Sequence, residues 1–169
     1  QGEAEPLRDR QLGELRRMVQ YVSENSAFYR TLFAQAELTL QDLNSLEDFA
    51  RFPRTPKAML QEHNEEFLCL PRDHIREIVS TTGTTGTPVY IYLTENDLHR
   101  LYVNEALSFL CAGVNAGDCF HIAVTLDNLF IAGLAYHRAL QLVGATAYRA
   151  GLRDSTRHLE LIRDLRPNG

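Results

Sequence analysis

Between residues 80 and 88 the chain reads Ser-Thr-Thr-Gly-Thr-Thr-Gly-Thr-Pro, and no other stretch limits its architecture as much. Five of the nine residues are threonine and none has a large apolar side chain, so the run cannot belong to a core. Ile75, Ile78 and Val79 precede it; Val89, Tyr90, Ile91, Tyr92 and Leu93 follow. These β-branched and aromatic flanks predict two strands joined by the run. Gly83 and Gly86 allow the backbone to take positive φ and approach a ligand closely, so that successive N–H groups converge on an anion. The threonine hydroxyls add donors that rotate toward phosphate oxygens. The run is not a P-loop of the NTPase type, because no Gly-Lys-Ser/Thr follows. An ordinary hairpin loop has a similar composition, and composition alone leaves both readings open.

The rest of the chain falls into two halves around this unit. Leu12, Leu15, Val19 and Val22 recur at helical spacing over residues 7–22, and Ser23 to Ser26 break the pattern. Phe28, Tyr29, Leu32, Phe33 and Ala36 predict a second short helix. Ser45 with Asp48 reads as a helix start, and Thr55-Pro56 as another, with threonine at the cap and proline at the first helical position. That capping chemistry accounts for the Arg54-Thr55-Pro56-Lys57 stretch without a functional role. Residues 1–74 are therefore expected to be a helical segment, and residues 75–169 an α/β segment. Thr94 and Asp97 form a capping box ahead of a helix to about Ala112, with Leu98, Leu101, Tyr102, Ala106, Phe109 and Leu110 inward and Gly113 as its stop. A strand over 119–124, a helix from about Asn128 to Val143 stopped by Gly144, and a strand over 145–148 follow. A last helix starts at Asp154 or Ser155, with Leu159, Ile162 and Leu165 on its buried side. This α-β-α-β-α order is that of a mainly parallel sheet with packed helices, so the expected fold class is α/β.

Composition narrows the partners. The net charge of −5 lacks the basic footprint of a nucleic-acid binder. Sixteen of the 17 basic residues are arginine, which leaves Lys57 as the only lysine for any mechanism that needs one. Three cysteines without a C-x-x-C pair suit a reduced, cytoplasmic protein. There is no 18-residue apolar span, so no membrane association is expected. The six histidines show no metal-ligand spacing, and no structural metal is expected.

Thr81, Thr82, Gly83, Thr84, Thr85, Gly86 and Pro88 match the phosphate-binding signature of the adenylate-forming enzymes, roughly [ST]-[ST]-G-T-[ST]-G-x-P. The departure is Thr87, where lysine is usual. The resemblance extends beyond the loop. Residues Leu15 to Arg30, with Phe28-Tyr29-Arg30 at their end, are similar to the opening helix and turn of the phenylacetate–CoA ligases. Leu46-Glu47-Asp48-Phe49 and Phe52-Pro53-Arg54-Thr55-Pro56-Lys57 resemble the next landmark of that family. Leu129-Phe130 with Gly133 and His137 is similar to the stretch beside its aryl-acid pocket, and Val143 to Thr146 with Leu161 to Leu165 continues the likeness. It covers roughly residues 10–167.

The resemblance implies the amino-terminal part of an AMP-forming aryl- or acyl-CoA ligase, using ATP, Mg²⁺ and coenzyme A with a carboxylic acid, aromatic in the expected case. It assigns Thr81, Thr82, Gly83, Thr84, Thr85, Gly86 and Thr87 to the phosphates, and Phe130, Gly133 and His137 to the acid pocket as candidates that helix packing explains equally well. Asp127 and Asn128 replace the small and aromatic residues usual before Leu-Phe, so the acid itself is open. The adenine-binding segments, the hinge and the lysine-bearing mobile domain would lie past residue 169, so the 169 residues alone are expected to be inactive and to self-associate, as a dimer, through uncovered apolar surface. Two other readings stay open: a non-catalytic nucleotide- or partner-binding module derived from such a ligase, which Thr87 favours, and a structural fragment.

Overall fold

The computed structural model describes residues 4–81 and 87–169. The chain divides into two compact units, Gln1–Arg72 and Asp73–Gly169.

The first unit is helical. Helix α1 spans Ala4–Asn25 and α2 Ala27–Gln35. The break between them is narrower than the serine-rich sequence suggests, since helix continues through Asn25 and only Ser26 interrupts it. Ser26 is fully buried. Its Oγ accepts from the Tyr29 N–H at 3.3 Å, capping α2, and donates to the Glu66 carbonyl at 2.8 Å, fastening a later turn to the same spot. Val19 from the α1 stripe packs with Phe33, Leu38, Leu43 and Phe52, and the guanidinium of Arg16 donates to the Leu43 carbonyl. Ser45 and Asp48 exchange the expected bonds, Asp48 N–H to Ser45 Oγ at 3.2 Å and Ser45 N–H to Asp48 Oδ2 at 2.8 Å. They open a 3₁₀ turn, Glu47–Arg51, rather than an α-helix. Helix α3 spans Lys57–Glu62, and here the sequence reading is corrected: Pro56, extended at ψ 159°, is the cap residue, with no side-chain bond, and Thr55 does not cap.

In the second unit β1 (Ile75–Ser80) and β2 (Tyr90–Thr94) pair antiparallel, with Val79 opposite Ile91 and Ser80 opposite Tyr90. Helix α4 (Glu95–Cys111) begins at the expected capping box, the Thr94 hydroxyl accepting from Asp97 N–H at 3.2 Å while Asp97 Oδ2 accepts from Thr94 N–H at 3.0 Å. Then β3 (Cys119–Ile122), α5 (Ile131–Val143) and β4 (Thr146–Arg149) form a crossover unit in which β3 and β4 are parallel, Ile122 opposite Arg149. Gly144 closes α5 at φ 87°, a left-handed position that glycine takes without strain. Helix α6 (Ser155–Leu165) is capped by Asp154. Helices α4 and α5 pack along each other, and Ile122, Leu140 and Ala145 form the core with Phe109 and Phe120 against it. The free edge of β3 is also engaged, as His121 N–H donates to the Gly169 carbonyl at 3.0 Å and Asn168 N–H to the Cys119 carbonyl at 2.9 Å.

Three expectations change here. Among the described residues the strands form two separate pairs, one antiparallel and one parallel, rather than one sheet. Helix α5 starts at Ile131, not 128, because Asn128 and Leu129 both sit at φ 58°, in the left-handed region where a right-handed helix cannot begin. Leu110, Leu159, Ile162 and Leu165 are exposed rather than buried, at 52, 65, 43 and 50%. The 3.6-residue period correctly marks the apolar stripe of α6, but a stripe is buried only if something packs on it.

Candidate functional site

The predicted phosphate loop rises from the β1–β2 hairpin. Thr82, Gly83, Thr84, Thr85 and Gly86 lie outside the described residues; the stem that carries them does not. Thr81 N–H donates to the Val89 carbonyl at 3.0 Å, and Thr81 Oγ1 accepts from Val89 N–H at 3.1 Å. Thr81 thus closes the stem with both backbone and side chain, one rung past the strand pairing. Val79 and Val89 are buried on either side of this closure, and Thr87 is exposed.

The stem is joined to a second element that the sequence left unconnected to it. Ser80 N–H donates to the Leu129 carbonyl at 3.1 Å. Leu129 lies in the 125–130 turn, where the Thr125 hydroxyl accepts from Asp127 N–H at 2.9 Å and Phe130 N–H donates to the Asp127 carbonyl at 3.3 Å. Two successive non-glycine residues at positive φ are costly, and Leu129 more so than Asn128, whose short amide tolerates that region. Asn128 was a sequence signal for this turn. The strain carries the Leu129 carbonyl to the loop stem.

Phe130, the residue before α5, is 39% exposed. Gly133 is buried in the first turn of α5. A Cβ there would stand 2.3 Å from the Thr125 carbonyl oxygen, so helix and turn touch at a contact only glycine permits. That contact explains Gly133 as packing. His137, one turn further along, has its Nδ1 buried without a hydrogen-bond partner. Burial first, then Arg149 and Arg138, push its pKa below the ordinary histidine value, so it is a neutral imidazole near pH 7. The structure therefore places Phe130 at the stem-bound turn, Gly133 against that turn, and His137 farther down the same helix. Beside Phe130, Ile131 joins Val79, Ile91, Leu93 and Leu101 around an open groove of about 720 Å³.

Among the described residues no group of three or more His, Cys, Asp or Glu could hold a metal ion. Mg²⁺ bound mainly through phosphate oxygens asks for few protein ligands, and threonine hydroxyls are among the hard oxygen donors it prefers. A separate titratable cluster was not anticipated. His121 Nδ1 is 2.9 Å from the Tyr148 hydroxyl, and His121 Nε2 is 2.7 Å from His158 Nδ1.

No protein-family model matches the chain. It is 34% identical over 164 residues to the phenylacetate-coenzyme A ligase of Thermus thermophilus, with 96% of this chain and 37% of that protein covered. The Pseudomonas putida enzyme of the same name is 31% identical, again over 96% of this chain and 37% of its own length. The chain thus spans somewhat over a third of the relatives it matches. Among solved structures, 2-hydroxyisobutyryl-CoA ligase in complex with 2-HIB-AMP and CoA superposes with a TM-score of 0.81 at 26% identity, over 98% of this chain and 36% of that one. The mixed α/β architecture with its small sheets is that of the adenylate-forming ligases. With relatives above 30% identity along nearly its whole length, the chain belongs to the phenylacetate-coenzyme A ligase family.

Proposed function

We propose that this chain is the amino-terminal part of an AMP-forming carboxylate–CoA ligase, in which residues 81–87 grip the β- and γ-phosphates of ATP and the 125–130 turn helps position the acid. The observation that carries this reading is the Ser80–Leu129 hydrogen bond. It ties the stem of the phosphate loop to the turn before Phe130, so nucleotide and carboxylate would be held by one connected piece of backbone. Such coupling suits a reaction whose first demand is that two bound reactants meet in line.

In the first half-reaction a carboxylate oxygen attacks the α-phosphorus, the bond to the bridging oxygen breaks, and pyrophosphate leaves with the electron pair. In the second, a coenzyme A thiolate attacks the acyl carbonyl carbon and AMP departs. Backbone N–H groups and threonine hydroxyls of the loop would meet the charge that gathers on the leaving pyrophosphate. Mg²⁺, when bound, supplies positive potential at those same oxygens. The relatives' names support an aryl acid, and the bound 2-HIB-AMP and CoA of the structural neighbour support the acyl-adenylate route. A cytoplasmic homodimer acting on a small carboxylic acid completes the proposal, supported by three free cysteines and by uncovered apolar side chains on α4 and α6.

A second reading rests on Thr87. A threonine in place of lysine donates one hydrogen bond and no charge, which fits a module that binds nucleotide without turning it over. Pyrophosphate exchange by the full-length protein, with ATP, Mg²⁺ and a panel of aryl and acyl acids, separates the two. Exchange that depends on the acid and disappears in Gly83→Val supports the ligase. Nucleotide binding without exchange on any acid assigns the binding module.

A further inference from the structure

The Arg54-Thr55-Pro56-Lys57 stretch has a capping explanation in the sequence, and the structure removes it. Pro56 occupies the cap of α3 without a side-chain bond, and the Thr55 hydroxyl instead lies 3.3 Å from the Tyr29 hydroxyl. Both residues line a cavity of about 440 Å³ within the helical unit. Its walls are rings in mutual contact. Phe33 meets Phe52 edge-on at 5.4 Å and 89°, Phe49 stacks on Phe52 at 5.7 Å and 28°, and Tyr29 leans on Phe33 at 5.5 Å. Arg54 lines the same hollow, is exposed, and forms no hydrogen bond or ion pair with any described residue.

The volume lies within the range of small-molecule sites, and an apolar lining with a few polar groups at one place is their usual chemistry. The rings supply area for an apolar body, best a flat one, through offset and edge-on contacts. An unpaired guanidinium presents a planar fork that fits one carboxylate through two parallel hydrogen bonds. The Thr55 and Tyr29 hydroxyls, which share one hydrogen bond, have one O–H left to donate between them. A single guanidinium suits a single negative charge better than the multiple charge of a phosphate.

We propose that the helical unit contains a binding site for a small carboxylate with an apolar body, the carboxylate on Arg54 and the Thr55–Tyr29 hydroxyl pair and the body among Phe33, Phe49 and Phe52. Every residue of this site belongs to Gln1–Arg72, whereas the phosphate loop and Phe130 belong to Asp73–Gly169. The site is therefore distinct from the acid pocket proposed above and stands or falls without it. Aryl and straight-chain carboxylates share the required chemistry, and the test separates them.

The 169-residue chain is titrated with phenylacetate, decanoate and phenylacetamide, with amide chemical shifts followed by NMR. An acid should move the resonances of Tyr29, Arg54 and Thr55. Phenylacetamide, without the charge, should bind roughly tenfold or more weakly than phenylacetate, the range of a charge-assisted pair. Arg54→Gln should remove that preference and leave the amide unaffected. Ala50, an exposed lining residue, allows an independent check, since Ala50→Phe fills the hollow without replacing a core residue and should abolish binding of acid and amide alike. Decanoate binding that Arg54→Gln weakens, without phenylacetate binding, assigns the site to aliphatic acids. No binding of either acid, shifts confined to residues 73–169, or acid binding indifferent to both variants overturns the proposal. Phe130→Ala should leave these shifts unchanged, and their loss in that variant would place the acid in the other unit.

Discussion

Replacing Gly133 by alanine tests whether the 125–130 turn and α5 are held as tightly as the geometry says. Two effects oppose each other. Alanine is the better helix former by about 1 kcal/mol at an interior position, so propensity alone predicts stabilisation. Against it, the new Cβ would lie 2.3 Å from the Thr125 carbonyl oxygen and 3.0 Å from its carbonyl carbon. Ordinary contact begins roughly 1 Å farther out, and the obstacle is backbone that cannot swing aside as a side-chain tip can. Overpacking of this kind costs about 1–3 kcal/mol, and a backbone obstacle at 2.3 Å puts it toward the upper end, so the clash outweighs propensity and the expected net loss is up to about 2 kcal/mol. Relief requires the turn to back away from α5, and the Leu129 carbonyl moves with it, lengthening its 3.1 Å bond to Ser80 N–H. Urea denaturation measures the first effect as a lower midpoint. Amide hydrogen exchange measures the second, with Ser80 exchanging faster in the variant while amides inside β3, such as Phe120, do not. A variant as stable as the parent or more so, with Ser80 protection unchanged, would refute the argument that the glycine is there for close approach.

Ser26→Ala should destabilise the helical unit by about 2 kcal/mol, losing a cap worth about 1 kcal/mol and a part-buried hydrogen bond to the Glu66 carbonyl worth about as much; Ser26→Thr, which keeps the hydroxyl, should recover part of it, both read from urea midpoints by far-UV circular dichroism. Thr94→Ala should cost about 1 kcal/mol through loss of the α4 box, visible as faster exchange at Asp97 N–H. On acidification, His121 and His137 hold pKa values lowered chiefly by burial, so the unfolded chain takes up protons before the folded one and stability falls as pH drops below about 6.5. Asp97 and Asp154, lowered by the hydrogen bonds of their capped turns, should add a second loss below the ordinary carboxylate range, and thermal melts from pH 8 to 3 should show both steps. Light scattering should find the 169-residue chain self-associated, and Leu159→Glu with Leu107→Glu, both on exposed apolar positions, should return it toward monomer.

Local rules made much of this chain legible. The strands around the glycine-threonine run, the Thr94–Asp97 box, the Gly144 stop and the parallel 119–122 and 146–149 pair follow from turn chemistry and periodicity within a few residues of one another. The misreadings share a cause. Thr55-Pro56 satisfies the grammar of a helix start, yet Thr55 turns to Tyr29, 26 positions earlier in the chain. The exposed Leu159, Ile162 and Leu165 show that a period identifies a face and not its partner. The Ser80–Leu129 bond had no local signature at all, because it depends on a leucine in a conformation leucines avoid. The candidate phosphate residues were legible as a motif, while the wiring of their stem was a tertiary fact.

The His121 cluster has a consequence in hydrogen counting. With all three groups neutral, the donors can run one way: the Tyr148 hydroxyl gives to His121 Nδ1, and His121 Nε2–H gives to His158 Nδ1. A proton added at His121 Nδ1 turns only the bond to Tyr148 around, the phenol oxygen then accepting. No heavy atom need move, and both contacts survive. The other contact has no such latitude, since only one hydrogen fits between His121 Nε2 and His158 Nδ1 across 2.7 Å. The row joining β3, β4 and α6 is thus a register with room for a single added charge.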